Sequence, residues 1–173
     1  MNNKIFLIGM MGAGKTTIGF ELSKVNKIPF IDVDQIIDSN NFIIKNSIED
    51  FRNREKLEIE KINSYKNCLI VSIGGGAVLS EENRIIIKKN YSIYLKGSIE
   101  ELISRINYQN SFRPLIQSEY GSDIDINVFK SLFNKREKIY NQLSNFTVNT
   151  DKKNISEIVQ IIHKKLIKNE IIY

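Results

Sequence analysis

The sequence contains only one cysteine and one histidine among its 173 residues. A single thiol cannot form an internal disulfide, so the chain suits a reducing compartment and we expect a cytoplasmic protein. Cys68 begins the apolar run 68–71, which is typical of a buried thiol rather than of a nucleophile. His163 lies far along the chain from every glycine- and arginine-containing motif, and we assign it no catalytic role.

Long apolar runs are also missing: none reaches the roughly 18 residues that would indicate a membrane span. The net charge is +5, but the lysines are scattered and no basic block is interleaved with aromatic residues. We therefore expect neither a membrane nor a nucleic acid as partner. The basicity is attributed mainly to solvated helix faces, with an anionic small substrate as a second contributor.

The composition, with 42% hydrophobic and 26% charged residues, is ordinary for a globular protein and predicts a single domain spanning 1–173. Short apolar runs alternate with longer helical patterns, which predicts an α/β fold built on a parallel sheet. The predicted strands span 4–8, 29–32, 69–73, 92–95 and 146–149. The predicted helices span 15–25, 34–39, 48–65, 81–89, 99–107, 128–142 and 155–167.

The stretch from Gly9 to Thr16 matches the pattern GxxxxGK[ST] and lies between a predicted strand and a predicted helix. Gly9, Gly12 and Gly14 permit backbone angles and close approaches that a Cβ atom would prevent. Successive N–H groups can then surround an anion at the N-terminus of a helix. Lys15 can reach the β- and γ-phosphates, and the Thr16 hydroxyl can bind magnesium. The stretch predicts a phosphate loop for ATP or GTP.

Two carboxylates, Asp32 and Asp34, follow the second predicted strand. Period-2 alternation would point both towards the phosphate loop, where one could serve magnesium and the other an acceptor hydroxyl. One of them could instead cap the following helix, and for Asp34 that alternative stays open. The third strand ends in Gly74-Gly75-Gly76, without the aspartate that many motor-type ATPases carry there. Backbone packed against a ligand and a simple tight turn explain this glycine run equally well.

Three arginines lie in or near the remaining motifs, and taken alone Arg52 would form an ordinary surface pair. Arg52 and Glu55, three residues apart near the start of a predicted helix, share a face and can form an ion pair. Arg113 lies in the polar segment 107–125, and a loop of that length in a compact domain is usually functional or disordered. Arg136 lies on the next predicted helix. Isolated arginines are usually solvated, so their significance depends on the other motifs.

In their order along the chain, these motifs resemble those of the shikimate kinases, and the resemblance spans almost the whole sequence. The phosphate loop alone is unspecific, whereas Asp-x-Asp, Phe-Arg-x-x-Glu and the triple glycine together are much more selective. The matching segments are 9–19, 32–34, 51–55, 74–78, 113–115 and Arg136.

The resemblance implies a three-layer α/β/α sandwich with a five-stranded parallel sheet, similar to the nucleoside monophosphate kinases. It implies phosphorylation of the 3-hydroxyl of shikimate by ATP and Mg²⁺, and we expect a monomer. The acceptor-binding segment would span about 33–60 and a mobile lid about 108–124, as the motif alignment places them.

The resemblance also assigns roles to individual residues. The catalytic residues would be Lys15, Asp34 and Arg113. The nucleotide-binding residues would be Gly12, Ala13, Gly14, Lys15, Thr16, Thr17, Arg105 and Arg113. The shikimate-binding residues would be Asp34, Arg52, Gly74, Gly75, Gly76 and Arg136, with the arginines on the carboxylate. Thr16 and Asp32 would serve the magnesium ion.

The segment between Asp34 and Phe51 departs from the family pattern, being about six residues shorter than usual by motif alignment. It lacks the usual Gly-Glu pair, and 40–42 replaces a glycine-containing turn. Because this segment builds the acceptor pocket, a kinase acting on gluconate or a nucleoside monophosphate remains an alternative, as does an ATP-binding module without catalysis. An arginine clamp favours a hydroxy acid over a nucleotide acceptor.

Overall fold

The computed structural model describes residues 4–109, 115–116 and 124–172. Five strands form one parallel sheet: β1 (Lys4–Ile8), β2 (Phe30–Asp32), β3 (Leu69–Ser72), β4 (Tyr91–Lys96) and β5 (Phe146–Asn149). The helices are α1 (Lys15–Asn26), α2 (Val33–Ile37), α3 (Ser39–Lys45), α4 (Ile48–Ser64), α5 (Glu81–Lys88), α6 (Ile99–Gln109), α7 (Ile126–Leu143) and α8 (Ile155–Lys168). A short 3₁₀ turn, Ala77–Leu79, follows β3.

Strand β1 lies at the centre of the sheet, whose strand order is β2-β3-β1-β4-β5. All of its residues are buried, and it pairs in register with β3 (Lys4 opposite Leu69) and β4 (Ile5 opposite Tyr91). The chain order reverses at this strand, because β3 and β2 lie on one side and β4 and β5 on the other. Open α/β sheets bind ligands beyond the carboxyl ends of their strands at such a reversal. The topology therefore places a candidate site just after Ile8.

Helices cover both faces of the sheet. Helix α1 packs against α8 and β3, whereas α5 packs against α4, α7 and β4. Gly19 lets α1 approach the sheet closely, since a Cβ atom there would overlap the ring of Phe30 and lie 3.0 Å from a methyl carbon of Leu7. Apolar side chains from both helical layers and the sheet form one core. The predicted three-layer α/β/α sandwich with a five-stranded parallel sheet is confirmed.

Polar side chains cap several of the helices. Ser47 caps α4 and Asn154 caps α8, each in a reciprocal arrangement with the acidic residue three positions later. Ser80 accepts a hydrogen bond from the Asn83 amide at the start of α5. The Ser98 hydroxyl accepts one from the Glu101 amide at 3.3 Å. These caps satisfy N–H groups that have no partner inside their own helices.

The strands and helices predicted from the sequence all occur, with ends within two residues of the expected positions. Helix α3 was not predicted. Its first residues, Ser39, Asn40 and Asn41, have side chains that compete with the backbone for hydrogen bonds and so disfavour helices in isolation. Asp38, in a left-handed conformation with φ of 54°, separates α2 from α3 and turns the chain between them. Within the described residues, no helix is long and apolar enough to cross a membrane.

Replacing the cap of α8 tests how much this local signal contributes to the fold. Asn154→Ala removes a side chain that accepts from the Glu157 amide at 2.9 Å. We expect a loss of about 1 kcal/mol in the free energy of unfolding and a fall of about 2–4 °C in Tm, measured by thermal and urea denaturation. Ser156→Ala, at an exposed position in the first turn of the same helix, is the control and should leave Tm nearly unchanged. Equal effects of the two changes would contradict the capping interpretation.

Candidate active site

The loop between β1 and α1 has the geometry of an anion-binding site. Gly12 and Gly14 adopt left-handed conformations with φ of 81° and 84°, which side chains rarely tolerate. A Cβ atom at Gly12 would also lie 2.6 Å from the Leu102 carbonyl oxygen in α6. The loop leads directly into α1, whose first residue is Lys15. The backbone N–H groups and the positive end of the helix dipole are therefore combined at one point.

The side chain of Lys15 is held over this loop. Only 8% of the residue is exposed, and its Nζ atom donates to the carbonyl oxygens of Gly9 and Met10, both at 2.9 Å. The positive charge of Lys15 is therefore held beside the loop whose N–H groups could surround an anion.

Thr16 and Asp32 join the loop to the end of β2. The Thr16 hydroxyl donates to Asp32 Oδ2 at 2.6 Å, and the carboxylate is buried. The other oxygen, Oδ1, accepts from the amides of Asp34 and Gln35 at 3.0 and 3.3 Å and so caps α2. Asp32, rather than Asp34, is thus the helix cap. Strand alternation is not the reason for their direction, because β2 ends at Asp32 and Asp34 already belongs to α2. Both carboxylates nevertheless lie towards the phosphate loop, as expected: Asp32 through Thr16, and Asp34 in the lining of the same cleft.

Asp34 remains free of the cap and lines the cleft beside the glycine run. Its Oδ1 atom accepts a hydrogen bond from the Ser39 hydroxyl at 2.9 Å. A Cβ atom on Gly74 would lie 3.0 Å from that same Oδ1 and would overlap Glu55. Because Gly74 has no side chain, the carboxylates of Asp34 and Glu55 can both approach the backbone just after β3.

Arg52 and Glu55 form the predicted ion pair on α4, with Nη1 and Oε2 separated by 2.6 Å. The pair is not on the surface, because Glu55 is only 1% exposed. The Arg52 guanidinium lies over the Phe51 ring, with 4.9 Å between its Cζ atom and the ring centroid. It also fills the space beside Gly76, where a Cβ atom would overlap it. The glycine run is thus packed closely against protein groups, which a simple tight turn does not require. Its packing against a ligand stays a prediction.

The second oxygen of Glu55, Oε1, accepts no hydrogen bond from any described residue. Burial raises the pKa of Glu55 from 4.5 to about 7, although the charge and hydrogen bond of Arg52 oppose that shift. Asp34 raises the same pKa further by like-charge repulsion, and Arg136 lowers it. Four ionisable side chains therefore interact in this part of the cleft.

Arg136, on α7, is 3% exposed and lines the same cleft. Its Nε and Nη1 atoms have no hydrogen-bond partner among the described residues. Burial lowers the pKa of Arg136, and this effect is partly offset by Tyr140, which lies one helical turn later. A buried guanidinium with N–H groups to spare is an arrangement that a carboxylate ligand would complete.

One cleft brings most of the predicted site residues together. Those that line it are Gly12, Gly14, Lys15, Thr16, Thr17, Asp34, Arg52, Gly74, Gly75, Gly76 and Arg136. Asp32 lies behind this lining and reaches it through Thr16. Ala13 is fully buried within the loop. The cleft thus joins the phosphate loop to the arginine-containing segment.

Two predicted residues stand apart from this cleft. Arg105 is not part of the cleft lining. The Arg105 guanidinium forms an ion pair with Glu101 and donates to the carbonyl oxygen of Thr150, on the loop after β5, at 2.7 Å. Its predicted contact with the nucleotide base stays a prediction. Arg113 lies outside the described residues, as does most of the predicted lid.

The cleft also contains residues that sequence reasoning missed. Ser39, Asn40 and Ile43 come from α3, the helix that was not predicted. No local signal identifies them, because their position depends on how α3 packs beside α2 and α4. Tyr140 is not part of the lining but lies behind it, fully buried, where its hydroxyl donates to the Gly75 carbonyl oxygen. Its spacing could have indicated this, since it follows Arg136 by four residues and so lies on the same face of α7.

Comparisons with known proteins agree with this geometry. The sequence profile described as "Shikimate kinase" matches residues 11–167. The shikimate kinase of Flavobacterium psychrophilum is 36% identical over 172 residues, which cover 94% of this chain and 98% of that protein. The shikimate kinase of Dictyoglomus turgidum is 34% identical over 175 residues, covering 96% of this chain and 98% of that one.

Solved structures extend the comparison to the fold. A shikimate kinase from Acinetobacter baumannii, in complex with shikimate, superposes with a TM-score of 0.84 at 28% identity and covers 96% of this chain and 94% of that one. A gluconokinase from Sinorhizobium meliloti shares the fold alone, with a TM-score of 0.70 at 16% identity and coverage of 96% and 93%. From the profile match and the identities over nearly its full length, the chain belongs to the shikimate kinase family.

Proposed function

We propose that the cleft transfers the terminal phosphoryl group of ATP to the 3-hydroxyl of shikimate, releasing shikimate 3-phosphate and ADP. The observation that carries this proposal is the continuity of the cleft, which places the phosphate loop beside Asp34 and two arginines. Phosphoryl transfer depends mainly on positioning and on charge stabilisation, and both can be supplied from these residues.

The nucleotide half is built from the phosphate loop. The backbone N–H groups between Gly12 and Thr17 would hold the phosphates, and Lys15 would exchange its loop carbonyls for phosphate oxygens. Arg105 would contact the base from its position beside Thr150, and the predicted lid residue Arg113 would add positive charge over the phosphates. Lys15 and Arg113 would thus stabilise the charge that develops during transfer.

The residues also fit a magnesium ion. Thr16 and Asp32 provide neighbouring hydroxyl and carboxylate oxygens at the end of the loop, which are the hard ligands that Mg²⁺ prefers. Among the described residues there is no cluster of three or more acidic, histidine or cysteine side chains. This suits Mg²⁺, which usually keeps several waters and takes further ligands from phosphates. When bound, the ion would neutralise charge on the β- and γ-phosphates.

The acceptor half would hold shikimate by its carboxylate and its hydroxyls. Arg52 on α4 and Arg136 on α7 both line the cleft, and the N–H groups of Arg136 that no described residue satisfies suit a planar carboxylate. Asp34 would accept a hydrogen bond from the attacking hydroxyl, with its own position held by Ser39. The backbone of Gly74, Gly75 and Gly76 would pack against the ring.

We further propose that the chain acts as a single kinase domain and as a monomer, without nucleic acid or membrane partners. One sheet receives strands from both ends of the chain, which supports a single folding unit. The scattered positive charge is consistent with a small anionic substrate.

A panel of acceptors tests the proposed reaction. The purified protein with ATP and Mg²⁺ should release ADP in a shikimate-dependent manner, and gluconate or nucleoside monophosphates should give much lower kcat/KM. ADP release can be followed by a coupled spectrophotometric assay, with the phosphorylated product identified by mass spectrometry. Preference for gluconate or a nucleotide would overturn the assignment of the acceptor, and ATP binding without any acceptor-dependent ADP would indicate a module without catalysis.

Arg52 and Arg54, which both lie on α4, provide a matched test of the carboxylate clamp: Arg52 belongs to the proposed clamp and Arg54 does not. Arg52→Lys keeps the charge but loses the planar fork, so we expect KM for shikimate to rise about tenfold to a hundredfold, the equivalent of about 1.5–3 kcal/mol. Arg54 is not part of the cleft lining, and its half-exposed side chain pairs with Glu58 at 2.7 Å. Arg54→Lys should therefore leave KM within about twofold of the wild-type value, as surface changes usually do. Steady-state kinetics would contradict the clamp if both variants behaved alike.

The buried carboxylate of Glu55 predicts a specific dependence of stability on pH. Its pKa rises from 4.5 to about 7 on folding, so the folded state binds the proton more tightly than the unfolded state. The free energy of unfolding should fall as pH rises from about 4.5 to about 7. Over this pH range, the free energy of unfolding of the wild type should fall by up to about 3 kcal/mol more than that of Glu55→Gln. This follows because one pKa unit corresponds to about 1.4 kcal/mol.

Urea unfolding of both proteins at pH 5 and pH 8 measures this difference. Glu55→Gln keeps the size and shape of the side chain but cannot titrate, so other groups contribute equally to the two curves. A constant difference in unfolding free energy across this range would show that Glu55 titrates normally.

A further inference from the structure

Asn40 lines the cleft, but the proposed phosphoryl transfer does not use its side chain. It lies on α3, is exposed to solvent, and follows Ser39 directly. No described residue makes a hydrogen bond with its side-chain amide. An exposed asparagine is ordinarily only solvated, so the importance of this one depends on how it is held and on which groups lie beside it.

The residues on either side of Asn40 are both held in place. The Ser39 hydroxyl lies 3.0 Å from the Asp34 carbonyl oxygen and 2.9 Å from Asp34 Oδ1, which ties the start of α3 to a carboxylate of the cleft. The Asn41 amide donates to Asp38 Oδ2 at 2.7 Å, and Asn41 is not part of the cleft lining. Of two adjacent asparagines, only Asn40 therefore offers its amide to the cleft.

Farther along α3 the cleft lining is apolar. Ile43 also lines the cleft and follows Asn40 by three positions, so the two lie on one face of the helix. The neighbouring Phe42 ring packs against Phe51 of α4, with 6.4 Å between the ring centroids, and Phe51 lines the cleft as well. Helix α3 thus adds one polar group to an otherwise apolar wall, an arrangement that suits a ring with hydroxyls along one edge.

We propose that Asn40 is a specificity-determining residue, whose amide binds the acceptor hydroxyl next to the one that is phosphorylated. An amide can donate through Nδ2 and accept through Oδ1, and a hydroxyl group can do both in return. Because Ser39 holds the start of α3 against Asp34, an attacking hydroxyl on Asp34 would bring its neighbour to Asn40. In shikimate that neighbour is the 4-hydroxyl. The proposal rests on the proposed function and adds which part of the acceptor α3 recognises.

Kinetics with shikimate and 4-deoxyshikimate measure this contact. Asn40→Ala should raise KM for shikimate about threefold to tenfold, the usual net effect of one hydrogen bond between neutral groups. We expect kcat to change by less than about twofold, because the amide would bind ground state and transition state alike. The wild-type preference for shikimate over the 4-deoxy compound, as a ratio of kcat/KM values, should fall by the same about threefold to tenfold.

Asn41→Ala is the matched control. It makes the same replacement one position later in α3, and it also removes the hydrogen bond to Asp38, so it disturbs the helix at least as much as Asn40→Ala does. It should nevertheless keep KM for shikimate within about twofold of the wild-type value. A second variant, Asn40→Leu, keeps the approximate size of the side chain without its hydrogen-bonding groups and should behave like Asn40→Ala. Thermal denaturation shows that each variant is folded.

Several results would overturn the inference. These are an unchanged preference for shikimate over the 4-deoxy compound in Asn40→Ala, an equal rise in KM in Asn41→Ala, or a wild-type KM in Asn40→Leu, which would show that the side chain only fills space. The 5-deoxy compound tests the choice of hydroxyl: a preference that Asn40→Ala loses against this analogue alone would exclude the 4-hydroxyl. Failure of the proposed function is recognised separately, since the wild type would then release no shikimate-dependent ADP.

Discussion

The site depends on the close approach of the backbone after β3 to the phosphate loop after β1. Side chains are absent at three successive positions there, and each position faces a different group: carboxylates at Gly74, the loop at Gly75 and the Arg52 guanidinium at Gly76. Because β1 and β3 are neighbours in a parallel sheet, their carboxyl ends lie side by side. The strand order therefore brings the glycine run to the loop, and the glycines remove the steric barrier to contact.

This approach forces charged groups into a small, poorly solvated space. Glu55 and Arg136 are almost fully buried, each with hydrogen-bonding atoms that no described residue satisfies. A buried charge that is only partly compensated costs stability, and such groups are found where function requires them. An acceptor with a carboxylate and several hydroxyls would supply the missing partners. The same arrangement explains why the pKa of Glu55 is raised to about 7 despite the neighbouring Arg52.

Local patterns predicted most of the architecture and several of the contacts. Alternating apolar runs predicted all five strands, and the spacing of Arg52 and Glu55 predicted their ion pair. Local patterns did not predict α3, whose polar first turn is a poor helix former alone and is held by packing against α2 and α4. Local patterns also did not predict that Glu55 is buried, because the burial of a residue on α4 depends on which other segments of the chain pack against that helix.

The sequence by itself determined the phosphate loop, the parallel α/β fold and the family, because these depend on residue types at fixed short spacings and on apolar periodicity. Only the tertiary structure decided that Asp32 caps α2 while Asp34 lines the cleft, and that the Tyr140 hydroxyl donates to the Gly75 carbonyl oxygen. These relations join residues on different elements, up to 65 positions apart in the case of Tyr140 and Gly75. The physical reason is that a hydrogen bond across elements depends on their relative position, which the packing of the whole core sets and no local pattern encodes.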